Sequence, residues 1–132
     1  MNTAEFSSEQ IMKYLFTASA VGTRPTSWFV ALHTADPTLD GSANEAAYTN
    51  YARQSATFTA DQPVADGPWR ARNDADVTFP ATDAEVTVTH VTVFDASTGG
   101  NALAVLKLPL AKTVASAGVF SIPANELVLT GE

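Results

Sequence analysis

The chain has 132 residues, 45% of them hydrophobic and 16% charged, with 14 Asp and Glu against 7 Lys and Arg for a net charge of -7. That length suits one domain with a single core and no staples. The acidic balance argues against non-specific binding to nucleic acid or an anionic membrane, and the absence of cysteine excludes disulfides and thiolate metal sites. No run approaches the ~18 apolar residues of a membrane span. Met1-Asn2-Thr3-Ala4-Glu5 lacks a positive n-region and Lys13 interrupts the apolar patch that follows. A secretory leader is therefore not expected, and the protein should stay in the cytoplasm until it is assembled onto something.

The first expected element is a helix over residues 8–19. Ser7 is positioned to cap it, with Gln10 three residues on as in a capping box. Ile11, Leu15 and Ala18 fall on one face with Met12 and Phe16 beside them, and Gly22 and Pro25 close the segment. So short a helix is marginal alone and must pack on something. It either closes one end of the core or docks a neighbouring subunit.

Beyond Pro25 the helical period disappears. Residues 28–33 read as an apolar strand, stopped by Thr34-Ala35-Asp36-Pro37. Residues 34–50 read as a long polar loop, either a functional protrusion or an arm that orders against a partner. Asp36, Asp40 and Tyr48 in this loop are candidate partner contacts. Residues 51–59 alternate as one strand, with Ala52, Gln54, Ala56 and Phe58 on one face and Tyr51, Arg53, Ser55 and Thr57 on the other. Arg53 is placed to pair with an acid across the sheet.

Pro63, Gly67 and Pro68 make a turn region. Trp69-Arg70-Ala71-Arg72 then forms a short strand or a loop edge. Trp69, Arg70 and Arg72 are candidate interface residues, the arginines through salt bridges and Trp69 as a stacking platform. Trp28, inside its strand, is expected in the core. Val77-Thr78-Phe79 is stopped by Pro80. Residues 85–94 are the clearest strand, but its apolar phase slips at His90-Val91, which predicts a bulge or burial of both faces. Asp95 to Asn101 is dense in turn formers and predicts a hairpin into Ala102–Leu108, with Pro109 ending that strand. Lys112–Val114 and Val119–Ile122 flank a Ser116-Ala117-Gly118 turn, and Glu126–Thr130 is the last strand. Seven or eight short strands at this spacing predict a mainly β fold. The expected form is an antiparallel sandwich, jelly-roll-like or a partly closed barrel, with one N-terminal helix.

Chemistry is scarce. His33 and His90 lie in or at the end of apolar strands, where a packed histidine is the ordinary outcome. A metal site with Asp36 or Asp95 has no supporting spacing. There is no nucleophile elbow around Ser97 or Ser116. Asp74 with Asp76, and Asp83 with Glu85, suit turn caps or a solvated face better than a catalytic carboxylate pair. Asp36 to Gly41 lacks the remaining ligands of a calcium loop. Gly99-Gly100 precedes no helix and cradles no phosphate. Neither a cofactor nor a metal is expected.

Several blocks nevertheless stand in one order: the helix, Phe29-Val30-Ala31-Leu32-His33-Thr34-Ala35-Asp36-Pro37, Tyr51-Ala52-Arg53-Gln54, Asp76-Val77-Thr78-Phe79-Pro80, Val88-Thr89-His90-Val91, and Phe94 through Leu103. Lys112-Thr113-Val114 and a Gly118-containing run complete them. In this order the chain resembles a family of small bacteriophage virion proteins, described as tail-fibre-like or head-decoration-like. The resemblance implies a non-enzymatic virion component that docks on capsid or tail subunits, and a homo-oligomer with a trimer favoured by common cyclic symmetry. It brings no catalytic residues. The other reading is a carbohydrate-binding sandwich that recognises host glycans through Trp69 and the polar loops.

Overall fold

The computed structural model describes residues 2–131. Met1, part of the stretch read against a leader, and Glu132 lie outside the described residues. In chain order the elements are β1 (Asn2–Thr3), α1 (Glu5–Phe16), β2 (Trp28–His33), β3 (Gln54–Ala56), β4 (Phe58–Asp61), β5 (Arg70–Asn73), β6 (Val77–Thr78), β7 (Val86–Phe94), β8 (Ala102–Val114), β9 (Ser121–Ile122) and β10 (Val128–Thr130). They form an antiparallel five-stranded sheet, β1-β8-β7-β2-β3, a three-stranded sheet, β10-β5-β4, and a two-stranded sheet, β6-β9. The fold is mainly β with one N-terminal helix, as expected, and its sheets stay open rather than closing into a barrel.

Alternation along β2 and β7 sends side chains to two apolar clusters. Val30, Leu32, Val91 and Val93 face a main core with Val77, Phe79, Val88, Val114, Phe120 and Leu127. Phe58, Ile122 and Leu129 from the smaller sheets pack onto it, which makes the sandwich. Ala31, Phe94, Ala102, Val105 and Ala4 make a second cluster on the opposite face. The phase slip has both of its predicted causes. Val88 and Val91, three residues apart, reach the same cluster, while Thr92 and Phe94 are buried on the other side.

The ladder between β7 and β8 loses register between Val88 and His90: Val88 faces Lys112 and His90 faces Lys107. The residues between those partners bulge from β8, and Pro109 lies among them. Pro109 therefore does not end the strand, which runs on to Val114. A proline in a bulged stretch removes no ladder bond. The predicted hairpin is present: Asp95 N donates to Asn101 O at 3.1 Å, and Asn101 N donates to Asp95 Oδ1 at 2.6 Å. Gly100 has φ +72°, and a Cβ there would meet Asp95 Oδ1 at 2.5 Å.

Three further expectations are corrected. The helix is Glu5–Phe16, not 8–19, and Ser7 does not cap it. The residue before it is Ala4, buried between β8 and the 34–46 segment. The Glu5 amide donates to Leu39 O at 2.9 Å, so tertiary bonding replaces a side-chain cap. Gln10 Oε1 instead accepts the Gly22 amide, and Thr17 ends the helix, its hydroxyl donating to Lys13 O at 2.9 Å. Second, the single strand at 51–59 is two. β3 pairs with β2 and β4 with β5, and between them Thr57 O accepts Asp74 N at 3.0 Å. The chain crosses from one sheet to another at Thr57.

Third, residues 34–50 are not an arm. Thr34 N donates to Asn44 O at 3.0 Å, Ala43 N to Pro37 O at 3.1 Å, Gly41 N to Thr38 O at 3.1 Å and Ala46 N to Leu32 O at 2.8 Å. Pro37, Gly41, Ala46 and Tyr48 are buried. The segment is a compact strap folded back on the end of β2.

Arg53 binds the strap to the sheet. Its Nε donates to Glu45 Oε2 at 3.0 Å and one terminal nitrogen to Glu45 Oε1 at 2.8 Å. The other terminal nitrogen donates to Ala96 O at 3.1 Å and Gly99 O at 2.8 Å. The guanidinium also lies 3.6 Å from the centroid of the Phe94 ring. The partner acid thus comes from the strap and not from a neighbouring strand. The Arg53 side chain is 9% exposed and that of Glu45 26%. Arg53→Ala should therefore destabilise the protein by about 2–4 kcal/mol, since it leaves a largely buried carboxylate unpaired. Glu9→Ala breaks only the exposed Glu9–Lys13 pair of α1 and should change stability by less than ~1 kcal/mol. Urea unfolding of both variants checks the contrast.

Candidate functional site

The largest exposed apolar side chains concentrate on one element. All twelve residues of α1 stay partly or largely exposed. Tyr14 is 74% exposed, Phe16 71%, Leu15 61%, Met12 56% and Ile11 49%. The stripe read from the sequence is real, but it faces away from the core. The helix rests on β8 through its N-terminal end, where Ala4 N donates to Leu103 O at 3.4 Å. Monomeric soluble domains seldom expose contiguous apolar surface of this kind.

The stripe runs into a groove of about 760 Å³ between α1 and the three-stranded sheet. Ile11 and Met12 form one wall, Phe58, Trp69 and Leu129 the other, with Trp28 between them. Trp28 is half-buried and packs on the main core, so it is both core and groove floor. Trp69 is held by its carbonyl, which accepts Gly131 N at 2.7 Å, while the residue remains 57% exposed. Arg70 lies at the groove margin. Its Nε and a terminal nitrogen donate to Asp61 at 2.8 and 3.1 Å, and Arg72 reaches the same carboxylate at 3.2 Å. The Arg70 hydrogen bonds hold the Asp61 carboxyl below the usual carboxylate range despite the opposing cost of desolvation.

The six residues singled out from the sequence separate into distinct places. Trp69 and Arg70 line the groove together, and Arg72 joins them only through Asp61. Asp36 and Asp40 cap turns of the strap: Asp36 Oδ1 accepts Thr38 N at 2.9 Å, and Asp40 Oδ1 accepts Ser42 N at 3.0 Å. The Thr38 and Ser42 hydroxyls also bond Asp40. These bonds lower the Asp40 carboxyl, Thr38 contributing most. Tyr48 is 9% exposed. Its hydroxyl donates to Pro80 O at 3.0 Å and its ring meets Tyr51 edge-on at 5.4 Å, so its surface is spent inside the protein. Ile11, Met12, Trp28 and Leu129 were not singled out as interface residues. The available signal was the number of apolar and aromatic residues from Ile11 to Phe16, more than one buried face of a short helix needs.

Several polar groups elsewhere are committed to structure. The Tyr51 hydroxyl donates to Glu45 Oε2 at 2.6 Å and burial raises its pKa. Burial pushes the Glu45 carboxyl up, but the bonds from Arg53 and Tyr51 outweigh it and hold it below its ordinary value. Asp74 accepts Thr59 Oγ1 at 2.5 Å, Asp76 accepts Ala124 N at 2.9 Å, and Asp83 accepts Thr49. Among the described residues no three His, Asp or Glu converge as metal ligands. Among them also no helix is long and apolar enough to cross a membrane.

Residues 2–130 match the family model described as podophage GP4 fiber I protein gp80, and the chain belongs to that family. No curated protein matches it. The resemblance read from the sequence is thus met at the level of a phage fibre structural family.

The exposed stripe and the core separate in their expected stability effects. At dilutions where the chain is monomeric, Phe16→Ser should leave the unfolding free energy within ~0.5 kcal/mol, as for a surface change. Phe79→Ala, at a residue 1% exposed, should cost about 3–5 kcal/mol. Denaturant midpoints at equal slope measure both.

Proposed function

We propose that this member of the podophage fibre family is an accessory structural part of the virion that docks on other virion subunits, copies of itself included, through α1 and the adjoining groove. The observation that carries this reading is the continuous apolar surface from Trp69 and Leu129 across Ile11 and Met12 to Leu15 and Phe16. Charge supports it. Between Phe6 and Ala35 the Asp, Glu, Lys and Arg side chains are Glu9, Lys13 and Arg24 alone, on a chain of net charge -7. Two copies that meet over this surface avoid most of the repulsion the rest of the molecule would impose. A fibre part acts by attachment, and non-enzymatic action agrees with the structural commitments of the polar groups described above.

A glycan-binding role is the second reading, favoured by the exposed ring of Trp69 beside Arg70 and Thr130. The groove walls are mainly apolar, which suits a protein partner better than a hydroxyl-rich ligand.

Light scattering after size exclusion tests the first reading. The wild-type chain should run as an oligomer at micromolar concentration, and Tyr14→Ser with Phe16→Ser should move it toward monomer with its β-sheet circular dichroism retained. A wild-type chain that stays monomeric and does not bind purified fibreless particles would sink it. On glycan arrays, binding that disappears in Trp69→Ala would favour the second reading.

A further inference from the structure

One buried group lies apart from the apolar groove. His33, the last residue of β2, is 0% exposed. Its Nδ1 lies 2.9 Å from Ala43 O, in the second half of the strap. Its Nε2 is buried without a hydrogen-bond partner among the described residues. The bond to a carbonyl requires a proton on Nδ1, so in the neutral ring Nε2 carries the lone pair. A second proton would create a charged donor at a buried position with no acceptor.

The surrounding charges offer little relief. Glu45, paired with His33 in an isolated β-bridge, is the nearest acid by sequence register. It is already bonded twice by Arg53 and once by Tyr51. On the other side His33 is in register with His90 of β7, whose Nδ1 is 2.8 Å from Thr89 Oγ1, and His90 is in turn opposite Lys107 of β8. Burial, reinforced by Arg53 and His90, lowers the His33 pKa against the opposing pull of the Ala43 bond and Glu45.

His33 also sits where the strap is fastened. Thr34 N to Asn44 O and Ala46 N to Leu32 O flank it, and Leu39 O, in the middle of the strap, accepts the first amide of α1. We infer that His33 is an acid-sensitive latch: its protonation releases the 34–46 strap from the end of β2 and loosens the strap's hold on the base of α1. The sign follows from linkage. A histidine whose folded pKa lies below its unfolded value of ~6.5 supports the latched state fully above that pH. That support is lost progressively as pH falls through it.

Amide hydrogen exchange on the intact protein, corrected for the intrinsic pH dependence of exchange, tests this. Between pH 7.5 and pH 5.0 the protection of the Thr34, Ala43, Ala46 and Glu5 amides should fall about tenfold. Val91 and Val93 in the central strand should keep theirs. In His33→Gln the strap should lose this pH dependence, and in His90→Gln it should retain it. Strap protection that stays constant to pH 5.0 in the wild type, or falls equally in His33→Gln, would overturn the inference. The wild-type imidazole titration by NMR adds a check that needs no variant. The His33 ring should protonate at the same midpoint as the strap opens, and protonation with the strap still closed would also overturn it.

Discussion

The Arg53 guanidinium is the constraint on which the arrangement of this chain depends. Four hydrogen bonds and one ring face take up its planar fork. Those contacts come from three separate stretches: Glu45 in the strap, the carbonyls of Ala96 and Gly99 in the hairpin, and Phe94 at the end of β7. Only a planar group with several fixed donors can meet all of them at once. The pair is largely buried, and buried pairs are weak devices for stability and strong ones for specifying a single arrangement. Here it fixes the strap against the hairpin, so that a seventeen-residue polar connection need not hang free.

Much of the sandwich is legible in the sequence because its central strands carry redundant signals. β2 and β7 combine apolar or β-branched runs with turn residues at their ends, and the Asp95–Asn101 hairpin has the two positive-φ glycines such a turn requires. The slip in β7 is legible too, since Val88 and Val91 cannot share a face without an irregularity. Boundaries set by tertiary bonds are not legible. Ala4 is a poor cap by type, yet α1 starts there because Leu39 supplies the acceptor. The chain breaks at Thr57 in the middle of a regular alternation, because Asp74 from a distant segment takes the Thr57 carbonyl. Polar composition alone leaves 34–50 as a protrusion or an arm. Composition does not show that Asp36 and Asp40 bond within the strap, nor that Pro37 and Gly41 are buried.

The candidate site was only half legible for a related reason. Trp69 and Arg70 attract notice as an aromatic beside a base, and they do share the groove. Its other wall comes from Ile11 and Met12, more than forty positions earlier in the chain. An apolar helical stripe looks the same whether it faces the core or a partner. What distinguishes the two is the placement of α1 on β8, which leaves Tyr14, Leu15 and Phe16 beyond any surface that could cover them.

The two ends of this structure are held to very different degrees. β7 and β8 are paired along most of their length, and β7 lies between two apolar clusters, so this part opens only at high cost. α1 contributes little buried surface and is fastened by Glu5 to the strap, by Ala4 to β8 and by Gln10 to Gly22. A segment with so few internal contacts is marginal in isolation. Covering its apolar face would therefore add stability as well as attachment, coupling assembly to the ordering of α1. The sandwich is held between its two apolar clusters, and the sparsely anchored helix carries the apolar surface that those clusters leave uncovered.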